Sequence, residues 1–204
     1  MKIAIGCLPL KNINGIDVFL HPIGYKNSIT YEPMAEEAVI ALIAKHFCYA
    51  NVPSDIKSYF DEMDDGYLFS ESNFDEYDLE KLEVGEIIVG RDIKLHPNFD
   101  NIKSFLMILK KFGGFKIDID TQIKLQEIDE LDSFDGTVYY CCEDDKVVGG
   151  EEILCSKQFL IANRINSNKF DDKNIKLIDE LKGTFGIIYK GIDSYPFIKK
   201  SRSL

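Results

Sequence analysis

Nothing in this sequence approaches the run of ~18 apolar residues that a membrane-spanning helix needs, so direct insertion into a bilayer is not expected. Cationic residues are few. Lys and Arg number 24 against 35 Asp and Glu, which leaves a formal charge of −11. Phosphate backbones and anionic bilayers attract basic patches, so neither nucleic acid nor a lipid surface is a natural partner. Cysteine is sparse and unpatterned. Cys7, Cys48, Cys141, Cys142 and Cys155 make an odd set whose spacings match no disulfide scaffold, which points to a reduced compartment. The apolar start IAIGCLPL has only Lys2 ahead of it and reaches Lys11–Asn12 without a small-residue cleavage site, so no secretory signal is read. These absences predict a cytoplasmic protein, held at the inner face of a membrane only through partners.

Whole classes of chemistry lack their motifs. No Gly-x-Gly-x-x-Gly follows a strand, and no Walker A loop is present. No Gly-x-Ser-x-Gly elbow presents a nucleophile. The three histidines, His21, His46 and His96, have neither helical i, i+4 spacing nor a short-loop partner, so no metal site is expected. Cys141 and Cys142 are adjacent and point to opposite faces of a strand, unlike the Cys-x-x-Cys spacing of zinc and iron–sulfur sites; they read as buried structural thiols. Tyr139–Tyr140 has no basic interleaving, which argues against a base-stacking platform. Asp118 and Asp120 could meet a hard cation, but the wet face of an edge strand explains them more simply.

What is present is an apolar share of 45%, enough for a real core, and one stretch of strong pattern at residues 84–119. Ile87, Ile88 and Val89 read as a strand that stops at Gly90. A polar loop carries Arg91, Asp92, His96 and Pro97. Ile102, Phe105, Leu106, Leu109 and Phe112 then recur at i, i+3, i+4, i+7 and i+10, one face of a helix. Asp100 suits its N-cap, and Gly113–Gly114 its stop. Phe115, Ile117 and Ile119 alternate with charged residues, as in a strand with one wet face. Together these make a βαβ unit.

Around it the chain reads as follows. Residues 2–8 and 16–20 are strands. A helix starts near Pro33, with Ala35, Ala38, Val39, Leu42, Ile43 and Phe47 on its apolar face. Its order of charge, Glu36 and Glu37 early and Lys45 and His46 late, suits the helix dipole. Ser54 caps a second helix. Residues 64–83 are strongly acidic, a surface excursion or insertion with a short helix over 75–82. Residues 121–135 suggest a helical turn or two around Leu125, Ile128 and Leu131. Thr137–Cys142 is a strand, 153–165 is open between helix and strand, 170–174 is a loop, and 181–190 is a turn and final strand before a frayed end. The expected fold is α/β: a Rossmann-like open sheet with βαβ units over residues 1–120, then a smaller β-rich part over 121–204.

Ligands of open α/β sheets gather beyond the carboxyl ends of the strands. That rule makes Arg91, Asp92, His96 and His21 the candidate ligand-binding residues. Arg91 could clamp a phosphate or carboxylate, and Asp92 a ribose hydroxyl; a surface pair or turn is the simpler account. His21–Pro22 and His96–Pro97 each follow a strand, so the two rings could approach each other at one edge of the sheet. No catalytic or metal-ligating residue is identified.

Two stretches, IDVFLHPIGYKNSITYEPMAEEAVIALIAKHF and EIIVGRDIKLHPNFDNIKSFLMILKKFGGFKI, resemble part of one component of bacterial NADH-quinone oxidoreductase, respiratory complex I, in Campylobacter- and Helicobacter-like bacteria. That component is the molybdopterin oxidoreductase-like subunit, designated G. The similarity covers roughly residues 16–119, within the family's molybdopterin oxidoreductase-like region. EEILCSKQFLIANRI and LKGTFGIIYKG fit the same family's later β-rich part. The family's iron–sulfur ligands lie in an N-terminal region, and this chain carries no such cysteine motif. The resemblance therefore implies a truncated or reduced, non-catalytic scaffold domain supporting electron transfer from NADH to quinone. Iron–sulfur clusters and FMN would belong to partner subunits of the peripheral arm or to regions that this chain lacks, and the chain itself would hold no cofactor. The alternatives are a stand-alone nucleotide- or anion-binding α/β protein or enzyme, and an orphan domain left by decay of a longer gene.

Overall fold

The computed structural model describes residues 1–10, 13–131 and 136–200. The chain opens with strands β1 (Lys2–Ile5), β2 (Val18–Leu20), β3 (Gly24–Tyr25) and β4 (Ser28–Ile29). Helices α1 (Glu36–Cys48), α2 (Ser54–Glu62), α3 (Asp65–Ser72) and α4 (Glu76–Glu80) follow. Next come β5 (Glu86–Val89), the single turn α5 (Arg91–Lys94), α6 (Phe99–Phe112) and β6 (Lys116–Ile117). The remainder is β7 (Thr137–Cys142), β8 (Glu152–Cys155), α7 (Lys157–Ala162), β9 (Lys169–Phe170), β10 (Lys173–Leu177), β11 (Leu181–Lys182), β12 (Gly186–Tyr189) and β13 (Phe197–Lys200).

The fold is α/β. A wholly parallel five-stranded sheet runs in the order β4-β2-β1-β5-β6. A mixed six-stranded sheet runs β13-β7-β12-β8-β10-β9. The short antiparallel pair β3–β11 ties the two halves of the chain together.

The βαβ unit forms as its spacing requires: β5 and β6 pair in parallel, Ile87 opposite Ile117, with α6 between them in sequence. On α6, Ile102, Phe105, Leu106 and Leu109 are buried against the same core as Ile3, Ile5 and Leu20 of the sheet. Each such side chain contributes about 1.5–3 kcal/mol of burial before the entropy of ordering is subtracted. Helix α1 is buried on nearly every side, Ala38 to Ala44 without a break, because AVIALIA offers no polar face. It packs on α6, where Glu37 accepts from Asn98 and Asn101 at 2.7 and 2.5 Å.

Several elements depart from expectation. Pro33 lies outside α1, since Met34 takes a left-handed φ of 70° and delays the helix to Glu36. Ser54 is the first residue of α2 and not its cap. Asp100 lies in the first turn of α6, paired with Lys103, and Asn98 is at the cap position. The acidic stretch 64–83 is two helices docked through Leu68, Phe74, Leu79 and Leu82, not a loose excursion. Residues 118–131 are an extended strap, not helical turns. Their backbone is held by side chains in place of a strand partner: Ser104 bonds both N–H and C=O of Lys124 at 3.1 Å, and Asn101 accepts from Gln126 N–H at 2.9 Å. Asp118 and Asp120 therefore lie beyond β6, not on a strand face. Residues 132–135 of the expected helical segment are outside the described residues.

In the second half, 152–165 is both strand and helix, β8 then α7. The expected loop at 170–174 is a hairpin in which Asp171 and Asp172 both take positive φ, the backbone of a tight primed turn. The segment after Lys190 carries one more strand, β13, along the edge of β7.

Candidate functional site

Residues at the carboxyl ends of β1, β2 and β5 meet the second sheet. Loops leaving β1 and β2 supply Leu8, Leu10 and Ile23, which pack against Tyr140, Leu154, Leu181 and Ile187. Two glycines permit this close approach. A Cβ on Gly90 would lie 2.1 Å from the Gly6 carbonyl oxygen, and one on Gly6, whose φ is +63°, would lie 2.6 Å from Ile93. Ile93, wholly buried, occupies that space, where a phosphate-binding loop would leave room for its ligand.

His21 follows β2 and is fully buried. Pro22 has no N–H, so the first backbone donor available to the ring is that of Ile23, which donates to Nδ1 at 2.9 Å. That bond fixes the tautomer: Nε2 carries the hydrogen and donates to Asp92 Oδ2 at 2.9 Å. His96–Pro97 repeats the arrangement. Asn98 N–H donates to Nδ1 at 3.0 Å, and Nε2 faces the Met34 carbonyl at 3.2 Å and Glu36 Oε2 at 3.6 Å. The two His-Pro pairs are thus the same local device in unrelated sequence surroundings.

Between the two rings lie tyrosines from the second half of the chain. His21 stands 5.1 Å from the Tyr140 ring and His96 5.5 Å, edge-on, from the Tyr195 ring. The two hydroxyls are 3.3 Å apart, and Tyr195 donates to Glu36 Oε1 at 2.5 Å. Glu36 is wholly inaccessible. Burial pushes its carboxyl up to about 8, only partly offset by the Tyr195 hydrogen bond. It is therefore largely protonated at neutral pH. Among the described residues, neither its Oε2 nor the hydroxyl of buried Tyr31 has a partner within hydrogen-bond distance. Burial raises Tyr31, Tyr140 and Tyr195 well above the ordinary tyrosine range and lowers His96. The result is a closed, buried hydrogen-bonded network that ends on the His21–Asp92 bond.

Arg91 faces another way. Its guanidinium donates to the Ile192 carbonyl at 2.6 Å and pairs with Glu143 at 2.6 Å, just beyond β7. The four candidate residues therefore converge on one junction. His21 and Asp92 bond directly, His96 joins them through Glu36, Tyr195 and Tyr140, and Arg91 clasps the junction from its rim. Sequence reasoning missed Glu36, Tyr31, Tyr140 and Tyr195. The AVIALIA run held a signal for Glu36, because a helix apolar all round also buries its first turn. Tyr195 is placed by long-range packing and left none.

Cys48, Cys141, Cys142 and Cys155 are buried. Cys141 and Cys142 do face opposite sides of β7, in separate apolar clusters. Among the described residues, no group of three or more His, Cys, Asp or Glu is arranged to hold a metal ion. Among them too, no helix is long and apolar enough to cross a membrane.

Comparison with family models, with curated proteins and with solved structures finds no match to this chain.

Proposed function

We propose that this chain is a non-catalytic scaffold domain of NADH-quinone oxidoreductase, of the same type as the complex's molybdopterin oxidoreductase-like component. On this reading it is a Rossmann-like open sheet whose strand-end crevice has become a structural junction. One observation carries the reading: at the strand ends, where an open α/β sheet binds its ligand, stand the protein's own buried Ile93 and Tyr140, with Tyr195 against His96 and Glu36, and Arg91 is committed to Glu143 and Ile192. A domain that has closed its crevice in this way serves as a supporting part. Electron transfer from NADH to quinone, with its FMN and iron–sulfur clusters, is then the work of partner subunits in the peripheral arm, which would hold the chain at the cytoplasmic face of the membrane.

The test is gentle lysis followed by size fractionation of the tagged full chain. Co-migration with NADH-oxidising peripheral-arm subunits is expected, and recovery solely as a free monomer overturns the proposal. Thermal-shift screening against nucleotides and anionic metabolites tests the rival reading. No stabilisation is expected. A rise in Tm that Arg91→Ala abolishes would instead establish a ligand site at the strand ends.

A further inference from the structure

The strap of residues 118–131 and the corner between α2 and α3 enclose a groove of about 790 Å³. Its floor is apolar: Met63, Leu68, Leu125 and Ile128. Its rim is anionic: Glu62, Asp64, Glu127 and Glu130, all exposed. Among the described residues, no Lys or Arg lines it and none pairs with Glu62, Glu127 or Glu130.

The walls are fixed in place. Tyr59 donates its hydroxyl to the Gln126 carbonyl at 2.6 Å, and Tyr67 accepts from Leu131 N–H at 3.0 Å. These bonds pin the strap to α2 and α3, so the groove does not have to be assembled when something enters it. An apolar floor ringed by uncompensated carboxylates repels phosphate and anionic lipid. It favours a segment that carries apolar anchors on one side and positive charge on the other.

We infer that this groove docks a short basic amphipathic segment of a partner protein, its apolar side chains on Met63, Leu68, Leu125 and Ile128 and its Lys or Arg side chains against the rim carboxylates. The inference does not rest on the scaffold reading. It holds or fails on the groove's own chemistry, whichever assembly the chain belongs to.

The experiment titrates the full chain into a fluorescein-labelled peptide of Leu and Lys at helical spacing, about four turns long, and follows anisotropy. Saturable binding is expected that weakens between roughly 50 and 300 mM salt, with no binding of the matched Leu–Glu peptide. Glu127→Lys with Glu130→Lys on the strap should weaken binding about tenfold or more. Glu151→Lys with Glu180→Lys, an equal charge change on exposed residues that do not line the groove, should weaken it about threefold or less. Both variants alter exposed side chains, and their Tm values should match the parent. Equal weakening by the two variants would reduce the effect to net charge and overturn the inference, as would no binding by the parent. Sedimentation of the chain alone covers the remaining case. A dimer that dissociates in the Glu127→Lys/Glu130→Lys variant would make a second copy the occupant and overturn the assignment to a partner.

Discussion

Glu36 holds its proton in the folded protein to about pH 8, against 4.5 for an ordinary glutamate. Between those values the native state binds more protons than the unfolded chain, so stability falls as pH rises and levels off above about 8. The slope from this one group is about 1.4 kcal/mol per pH unit, undiminished by solvent because the side chain is wholly inaccessible. His96 acts in the other direction. Burial holds it below its ordinary 6.5, so the unfolded chain protonates first as pH falls, and stability is lost on the acid side. Glu36→Gln keeps an oxygen acceptor for Tyr195 and removes the titrating proton. Urea midpoints of parent and variant should coincide near pH 5 and diverge towards pH 9, where the variant should be more stable by at least about 2 kcal/mol. Identical pH slopes for the two proteins would show that Glu36 is not the titrating group. His21 and His96 were legible in the sequence because His-Pro is a local pattern, and Asp92 because it stands just past the end of an apolar strand run, although the turn α5 separates that strand from His96. Glu36 reads there only as a dipole partner, since its true surroundings include Tyr195, far away in the chain.

Where β5 turns into α5, the backbone passes within contact distance of the end of β1. Gly90 has an unexceptional φ of −76°, so sterics and not backbone conformation demand glycine there. In Gly90→Ala the added carbon would start 2.1 Å from the Gly6 carbonyl oxygen and 2.6 Å from Cys7 N, forcing β1 and β5 apart. A loss of about 1–3 kcal/mol in urea denaturation is expected. Gly150→Ala, where a Cβ meets nothing within 4 Å, should change stability by less than about 0.5 kcal/mol. A Gly90 variant as stable as the Gly150 variant would mean that the junction tolerates separation. The βαβ unit that contains Gly90 was legible because its periodicities, 3.6 in α6 and an apolar run in β5, are written in adjacent residues. The strap was not, because Ser104, Asn101, Tyr59 and Tyr67 hold it from other elements. Nor was the β9–β10 hairpin, whose turn holds two aspartates at positive φ with no glycine beside them to announce it.

The molecule as a whole is interlocked rather than a pair of beads. One core of the second half includes Ile23 and packs Leu8 and Leu10 from the first, and β11 has β3 as its strand partner. A fragment of residues 121–204 should therefore lack a cooperative thermal transition and near-ultraviolet circular dichroism, and should regain both when mixed with residues 1–120. A fragment that melts sharply alone would show that its own sheet suffices. The α/β class and the shift to β-rich sequence after residue 120 were legible from composition and periodicity. The interlock was not, because β3 and β11 are two-residue strands with no pattern of their own.

The β3–β11 pair also sets an order of events during synthesis. Gly24–Tyr25 leaves the ribosome long before Leu181–Lys182, and Glu36 long before Tyr195. For most of translation the strand-end side chains of the emerging chain stay hydrated and Glu36 stays ionised, and only arrival of the last strands expels water and returns a proton to Glu36. Nascent chains arrested before residue 181 should thus be cleaved rapidly by protease around β3. Full chains arrested through a flexible linker appended after residue 204, so that β13 clears the ribosome, should resist, and equal cleavage of the two would place closure of the junction elsewhere in the order.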